Sequence, residues 1–151
     1  MITTRRFGNT DLQVPVLGLG TGSLGDPKLD EDFVGSFLNQ AVEMGFTLID
    51  TARGYGEAEY RIAKHLGWRR QQFLLSTKVG YGVDWVEDWT YDCVRYGIDR
   101  ALWQLKTDYL DIVHLHSCDL EILQRGEVIQ ALIEAKQSGR VRYIGYSGEN
   151  E

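Results

Sequence analysis

Gly18-Leu-Gly20-Thr-Gly22-Ser-Leu-Gly25 follows the apolar pair Val16-Leu17 and decides between two folds. Gly20, Gly22 and Gly25 satisfy the bare Gly-x-Gly-x-x-Gly pattern of a dinucleotide-binding turn. In that turn the helix opens inside the motif, so that its N-terminus meets the pyrophosphate. Here the helical pattern starts later, after Pro27, with Asp30 as its capping residue. No acidic residue closes the second strand in the ribose-binding position except Asp50, which has a use of its own. A doubly wound open sheet is therefore the poorer reading, and part of a (β/α)8 TIM barrel the better one.

The rest of the chain alternates in the way such a barrel requires. Upstream, Arg5 to Pro15 reads as a short hairpin turning at Gly8-Asn9. Val16 to Thr21 reads as the first strand of the barrel. Asp30 opens a helix with Phe33, Phe37, Leu38, Ala41 and Val42 on one face and Gly45 just past its end. Phe46 to Asp50 is a strand, and Glu57 to Leu66 is a helix with Ile62 and Leu66 apolar. Phe73 to Thr77 is a strand. Thr90 caps a longer helix carrying Val94, Ile98, Ala101, Leu102 and Leu105. Tyr109 to Leu115, a helix over Glu127 to Ser138, and Val141 to Tyr146 complete the pattern. The reading is an N-terminal hairpin, strands 1–5 and helices 1–4 of a barrel, α/β in class, in a single domain over 1–151. A whole barrel takes about 250 residues. The 151 residues here stop after the fifth strand.

Composition narrows the function classes. The chain is 43% hydrophobic and 25% charged, with net charge -6. No basic patch suggests nucleic acid. No apolar run reaches the roughly 20 residues that cross a membrane, and Met1-Ile-Thr-Thr-Arg-Arg lacks the apolar core of a signal peptide. Cys93 and Cys118 lie in no metal-type spacing and read as reduced thiols of a cytoplasmic protein.

Barrel chemistry sits at the C-terminal ends of the strands. The second strand ends in Asp50, with Tyr55 in the loop beyond it. The third leads into Lys78, and the fourth into His116. Period-2 alternation puts Asp50 with Leu48, Lys78 with Ser76, and His116 with His114 and Ile112. Ile49, Leu75, Thr77, Val113 and Leu115 fall on the opposite faces, under the helices. All three ionisable residues can thus point inward on one rim. Phenols have a reference pKa of about 10, and a neighbouring ammonium stabilises the phenolate. Asp50 paired with Lys78, beside Tyr55 and His116, makes a group that can protonate an oxyanion as it forms, which is general acid catalysis of carbonyl reduction. Singly, each residue also has a plain structural use: a turn aspartate, a packed tyrosine, a rim lysine, a core histidine. His114, one step deeper, reads as structural. Trp85 and Trp89 read either as walls of a substrate pocket or as packing residues.

Leu17-Gly-Leu-Gly-Thr21, Ile49-Asp-Thr-Ala-Arg-Gly-Tyr-Gly56, Ser76-Thr-Lys-Val79, Tyr109-Leu-Asp-Ile-Val-His-Leu-His116 and Ile144-Gly-Tyr-Ser147 together resemble the aldo-keto reductases, in order and spacing, over nearly all the chain. The resemblance implies an NAD(P)H-dependent oxidoreductase that reduces aldehydes or ketones to alcohols, using NADP(H) more often than NAD(H) and no metal. It implies Tyr55 as general acid, Lys78 as the cation that activates it, Asp50 as partner of Lys78 and of the nicotinamide ribose, and His116 as the residue that orients the carbonyl. It implies Gly20 and Thr21 near the cofactor, Ser147 on the nicotinamide carboxamide, and the hairpin as a plug in the barrel floor. Family members often carry Ser-Asn where this chain has Ser147-Gly148. Two other readings stay open: a cofactor-binding regulatory subunit on the same scaffold, and an inactive truncated fragment. An unclosed barrel has open edges at its first and fifth strands, which predicts self-association or pairing with a missing fragment.

Overall fold

In the computed structural model, residues 2–148 are described. The ends of the expected domain, Met1 and residues 149–151, lie outside them. Strands β1 (Thr4–Arg6) and β2 (Gln13–Pro15) form the antiparallel hairpin. Five strands follow in one parallel sheet: β3 (Leu19–Gly20), β4 (Leu48–Asp50), β5 (Leu74–Val79), β6 (Leu110–His116) and β7 (Val141–Ser147), in the order β3-β4-β5-β6-β7. Sequential order with every neighbour parallel is barrel topology; a doubly wound sheet reverses its order at a switch point. The helices between them are α1 (Glu31–Met44), α2 (Ala58–Leu66), α3 (Tyr91–Leu105), α4 (Leu120–Arg125) and α5 (Glu127–Gln137). The sheet is an incomplete (β/α) barrel.

Local chemistry sets the helix ends. The Asp30 carboxylate accepts from the Phe33 N–H at 2.8 Å, and Glu31 and Asp32 place negative charge in the first turn of α1. Gly45 ends the helix at φ 101°, its N–H reaching the last carbonyls. Thr90 caps α3 by accepting from Cys93 N–H. The short α4 was not expected from the sequence. Its single turn and a half leaves too few residues for a helical period to show.

Two cores separate the sheet's faces. Ile49, Leu75, Val113 and Leu115 pack under the helices with Leu38, Ile62, Val94, Ile98 and Leu132. On the inner face, Leu12 and Val14 of the hairpin pack on Ile112, with Leu48, Leu74 and Tyr143 around them. The hairpin therefore floors the barrel. The faces alternate as the strand period requires.

Two expectations change, and one holds. The first strand is short, and Val16 and Leu17 are exposed and lie outside the parallel sheet. Phe33 and Phe37 are also exposed, their rings stacked at 6.2 Å, while Val34, Leu38, Ala41 and Val42 meet the sheet. The apolar arc of α1 is wider than the contact, and the two rings fall on its flank. The glycine-rich stretch forms a 3-10 turn over Gly22–Gly25, and α1 begins only after it.

That turn is held by Arg61 of α2, which is 2% exposed. Its guanidinium donates to the carbonyls of Leu24, Asp26 and Leu29 and pairs with Glu31 and Glu57. Glu31 in turn takes the His65 ring nitrogen at 2.6 Å and Lys64 at 3.1 Å. The His65 hydrogen bond, with Lys64 and Arg61 beside it, draws the Glu31 carboxyl from 4.5 down to about 2. A depressed carboxyl contributes stability that is complete above its unfolded value and is lost as pH falls toward its folded one. Urea unfolding of Glu31→Gln should therefore be less stable than wild type at neutral pH, and the two should converge between pH 4.5 and about 2. A constant difference across that window would remove Glu31 as the acid-sensitive group.

Candidate active site

Five strand ends meet on one rim. Gly20 pairs with Asp50, Asp50 with Ser76, Lys78 with His114, and His116 with Ser147. Each strand is stepped along its neighbour, so Lys78 stands one pleat above Asp50 and its ammonium reaches back. Lys78 Nζ lies 2.6 Å from Asp50 Oδ2 and 2.8 Å from the Thr51 carbonyl oxygen. Ser76 donates to the other carboxylate oxygen at 2.9 Å. Lys78 is buried while Asp50 keeps a side chain 40% exposed. A buried ammonium needs such acceptors, since an unpaired charge there would be costly.

Tyr55 arrives from the loop after β4. Its ring centroid is 4.9 Å from Lys78 Nζ and 6.2 Å from the His116 ring, which stands nearly perpendicular at 88°. The structure thus brings Asp50, Tyr55, Lys78 and His116 together. The glycine-rich stretch fixes this loop. Gly25 lies so close to the Tyr55 backbone that a Cβ would fall 1.6 Å from the Tyr55 carbonyl oxygen, and one at Gly56 would fall 2.4 Å from the Gly25 carbonyl oxygen. Glu57 N–H donates to that same Gly25 oxygen at 3.1 Å. The third glycine of the motif is spaced for chain-to-chain contact, with no phosphate needed to explain it.

Of the residues expected at a cofactor, Gly20 and Ser147 end β3 and β7 on this rim, and a Cβ at Gly20 would meet nothing within 4 Å. Thr21 is fully buried, and its hydroxyl and N–H both donate to the Asp50 carbonyl oxygen at 3.0 Å. It secures the backbone under Asp50. Gly148 is explained by its neighbour: a Cβ there would lie 2.2 Å from the Tyr146 hydroxyl oxygen, so the Tyr146 ring fills the space an asparagine side chain would need.

His114 sits below the rim with Nδ1 buried and unpartnered, against Gly145. Burial pushes its pKa down, which keeps the ring neutral. Trp85 is fully exposed, whereas Trp89 packs on the core and lies 5.7 Å from the Tyr81 ring.

Two polar residues at the site were not anticipated. Glu59 is buried behind it, accepts from the Thr77 hydroxyl at 2.6 Å, and has its pKa raised by burial. Its place in the first turn of α2, beneath which the strand pattern puts the helix-facing Thr77, was the signal available. Tyr81 lies with its hydroxyl 3.1 Å from His116 Nδ1. A separate open groove of about 810 Å³, lined by Tyr60, Trp103, Lys106 and Arg140, lies beside the N-terminal ends of β6 and β7, away from the catalytic rim.

Comparison with known proteins bears on this rim. A model described as the aldo/keto reductase family matches residues 16–150. An uncharacterized oxidoreductase, YqkF of Bacillus subtilis, is 35% identical over 95% of this chain and 48% of its own length. L-galactose dehydrogenase of Arabidopsis thaliana is 33% identical over 97% of this chain and 49% of its own. The solved aldo-keto reductase AKR11C1 of Bacillus halodurans, in its holo form, superposes with a TM-score of 0.88 at 33% identity, over 98% of this chain and 51% of that one. The chain spans about half the length of the curated relatives it matches. Among the described residues, no helix is long and apolar enough to cross a membrane.

Proposed function

The chain belongs to the aldo-keto reductase family, a family of oxidoreductases, and from that premise we propose that it carries the proton-delivering site of a cytoplasmic, NAD(P)H-dependent reductase of aldehydes or ketones. The observation that carries this reading is the Lys78 ammonium, held 2.6 Å from Asp50 and 4.9 Å from the centre of the Tyr55 ring.

The chemistry follows from that placement. As a carbonyl is reduced, its oxygen gains negative charge and needs a proton. Tyr55 donates the proton from its hydroxyl, and the Lys78 ammonium stabilises the phenolate left behind. Asp50 and the Thr51 carbonyl hold Lys78 in place. His116, perpendicular to Tyr55, orients the carbonyl oxygen between the two rings. Desolvation around Lys78 strengthens each of these interactions.

The rim suits a nicotinamide nucleotide. Gly20 leaves open space at one strand end, and Asp50 offers a half-exposed carboxylate able to accept from ribose hydroxyls. Gly20, Asp50 and Ser147 would hold the nucleotide, with Thr21 acting through the Asp50 backbone. When bound, NADPH, preferred here over NADH, supplies the hydride to the carbonyl carbon. Both cysteines are buried free thiols, in keeping with a reducing compartment. β3 and β7 are the edges of the described sheet, and we take them to be covered in the working enzyme, by a second copy or by further β/α units.

Turnover of a panel of small aldehydes and ketones with NADPH and with NADH, set beside nucleotide binding, tests the proposal. Oxidation of NADPH that depends on the carbonyl compound is expected. Nucleotide binding with no turnover would overturn it and favour a regulatory subunit. Sedimentation of the same preparation tests the edges, where a stable monomer of this chain would count against self-association.

A further inference from the structure

The structure assigns a positioning role to Tyr81: its hydroxyl donates to His116 Nδ1 and so fixes the imidazole in the tautomer that carries its proton on Nε2. The inference rests on the reading of His116 as the residue that orients the carbonyl.

The loop after β5 is built to deliver this phenol. Gly80 and Gly82 take φ angles of 131° and 71°, which side-chain-bearing residues rarely adopt, and Tyr81 lies between them. A Cβ at Gly80 would fall 2.1 Å from the Trp89 ring, so the missing side chain lets that indole close over the loop. Trp89 N–H donates to the Gly80 carbonyl at 2.7 Å, and Cys93 Sγ lies 3.3 Å from the same oxygen. The Tyr81 ring is thereby held between Trp89, at 5.7 Å, and the His116 ring, at 5.4 Å. Gly54 completes the arrangement from the Tyr55 loop. A Cβ there would lie 2.6 Å from the Tyr81 hydroxyl oxygen. The phenol therefore reaches His116 across a gap left by the residue next to Tyr55.

The contact has a chemical direction. A neutral imidazole carries one N–H and one bare nitrogen, and the hydrogen bond made by one nitrogen decides the state of the other. A phenolic O–H is a better donor than an imidazole N–H, and an imidazole nitrogen is a better acceptor than a phenolic oxygen. Tyr81 therefore donates at 3.1 Å to a bare Nδ1, and the proton resides on Nε2. In that form His116 is a donor to the same carbonyl oxygen that Tyr55 protonates. In the other tautomer Nε2 would be a lone pair, repelling the oxygen as its negative charge grows.

The test is a long-range 15N–1H correlation spectrum of histidine-labelled protein, above the range where imidazole titrates. The chain has three histidines, and His116→Asn assigns the signal. Wild type should show a bare Nδ1 and a protonated Nε2 at His116. Tyr81→Phe, which keeps the ring, should mix the tautomers. Gly54→Ala should do the same while keeping the phenol, because the new methyl displaces the hydroxyl. Where turnover is measurable, Tyr81→Phe should lower kcat/KM by about tenfold, the scale of one hydrogen bond. A proton on Nδ1 in wild type, or an unchanged tautomer in both variants, would overturn the assignment. Absence of carbonyl reduction in wild type would instead remove the proposed function and leave the spectroscopic result standing.

Discussion

Tyr55→Phe is expected to lower carbonyl turnover by about 10²–10⁴-fold, the usual contribution of a general acid, while leaving nucleotide binding nearly unchanged. The substitution removes one O–H and little else. The Tyr55 loop is held by its backbone: Tyr55 N–H donates to the Ala52 carbonyl, Ala58 N–H to the Tyr55 carbonyl, and Gly25 packs against that carbonyl. None of these contacts uses the hydroxyl. The ring stays over Lys78, and Lys78 stays on Asp50 and Thr51. The residues suited to the nucleotide, Gly20, Asp50 and Ser147, are untouched. Single-turnover hydride transfer beside a nucleotide titration would separate the two effects. Retained turnover would remove Tyr55 as the acid, and an equal loss in binding would show that the ring, and not its proton, matters.

Arg61→Met is expected to lower folding stability by about 3–5 kcal/mol, as loss of one partner from a buried ionic group does. The guanidinium is almost wholly buried and serves three backbone carbonyls and two carboxylates. Methionine matches much of its volume but offers no donors, so the Leu24, Asp26 and Leu29 carbonyls would lose partners. The damage should also reach the site. Leu24 and Gly25 belong to the 3-10 turn that packs on the Tyr55 loop, and Glu57 donates to Gly25. Urea unfolding with a fitted slope would measure the stability, and hydrogen exchange at residues 22–29 would report the turn. A loss below about 1 kcal/mol, the scale of an exposed ion pair, would mean the turn stands without Arg61.

The two cases differ in how far they could be foreseen. Tyr55 stood out because an aspartate closes an apolar strand just before it, and strand ends are where a barrel keeps its chemistry. Arg61 gave no such sign. A charged residue on a short amphipathic helix normally marks the solvent face, and only the turn folded over it makes it central. Tyr81 was missed for a related reason: it comes from a loop, where side-chain direction follows from glycine φ angles rather than from a period. Phe33 and Phe37 show the opposite error, since apolar periodicity places a residue on an arc without saying how much of that arc is covered.

Sequence alone determined the order of the strands and of the longer helices, the inward face of each long strand, and the arrival of Asp50, Lys78 and His116 on one rim. Period 2 in strands, caps at helix ends and glycines past them are local, so they can be read locally. Tertiary structure decided what Gly18 to Gly25 is for. The stretch matches a phosphate-binding pattern letter by letter. Its last glycine, Gly25, nonetheless answers to the backbone of Tyr55 and Gly56, about 30 residues away in the chain, the length of one β-α unit. Contacts between segments that distant depend on how the strands are stepped and how the loops close over them, and no local pattern encodes that.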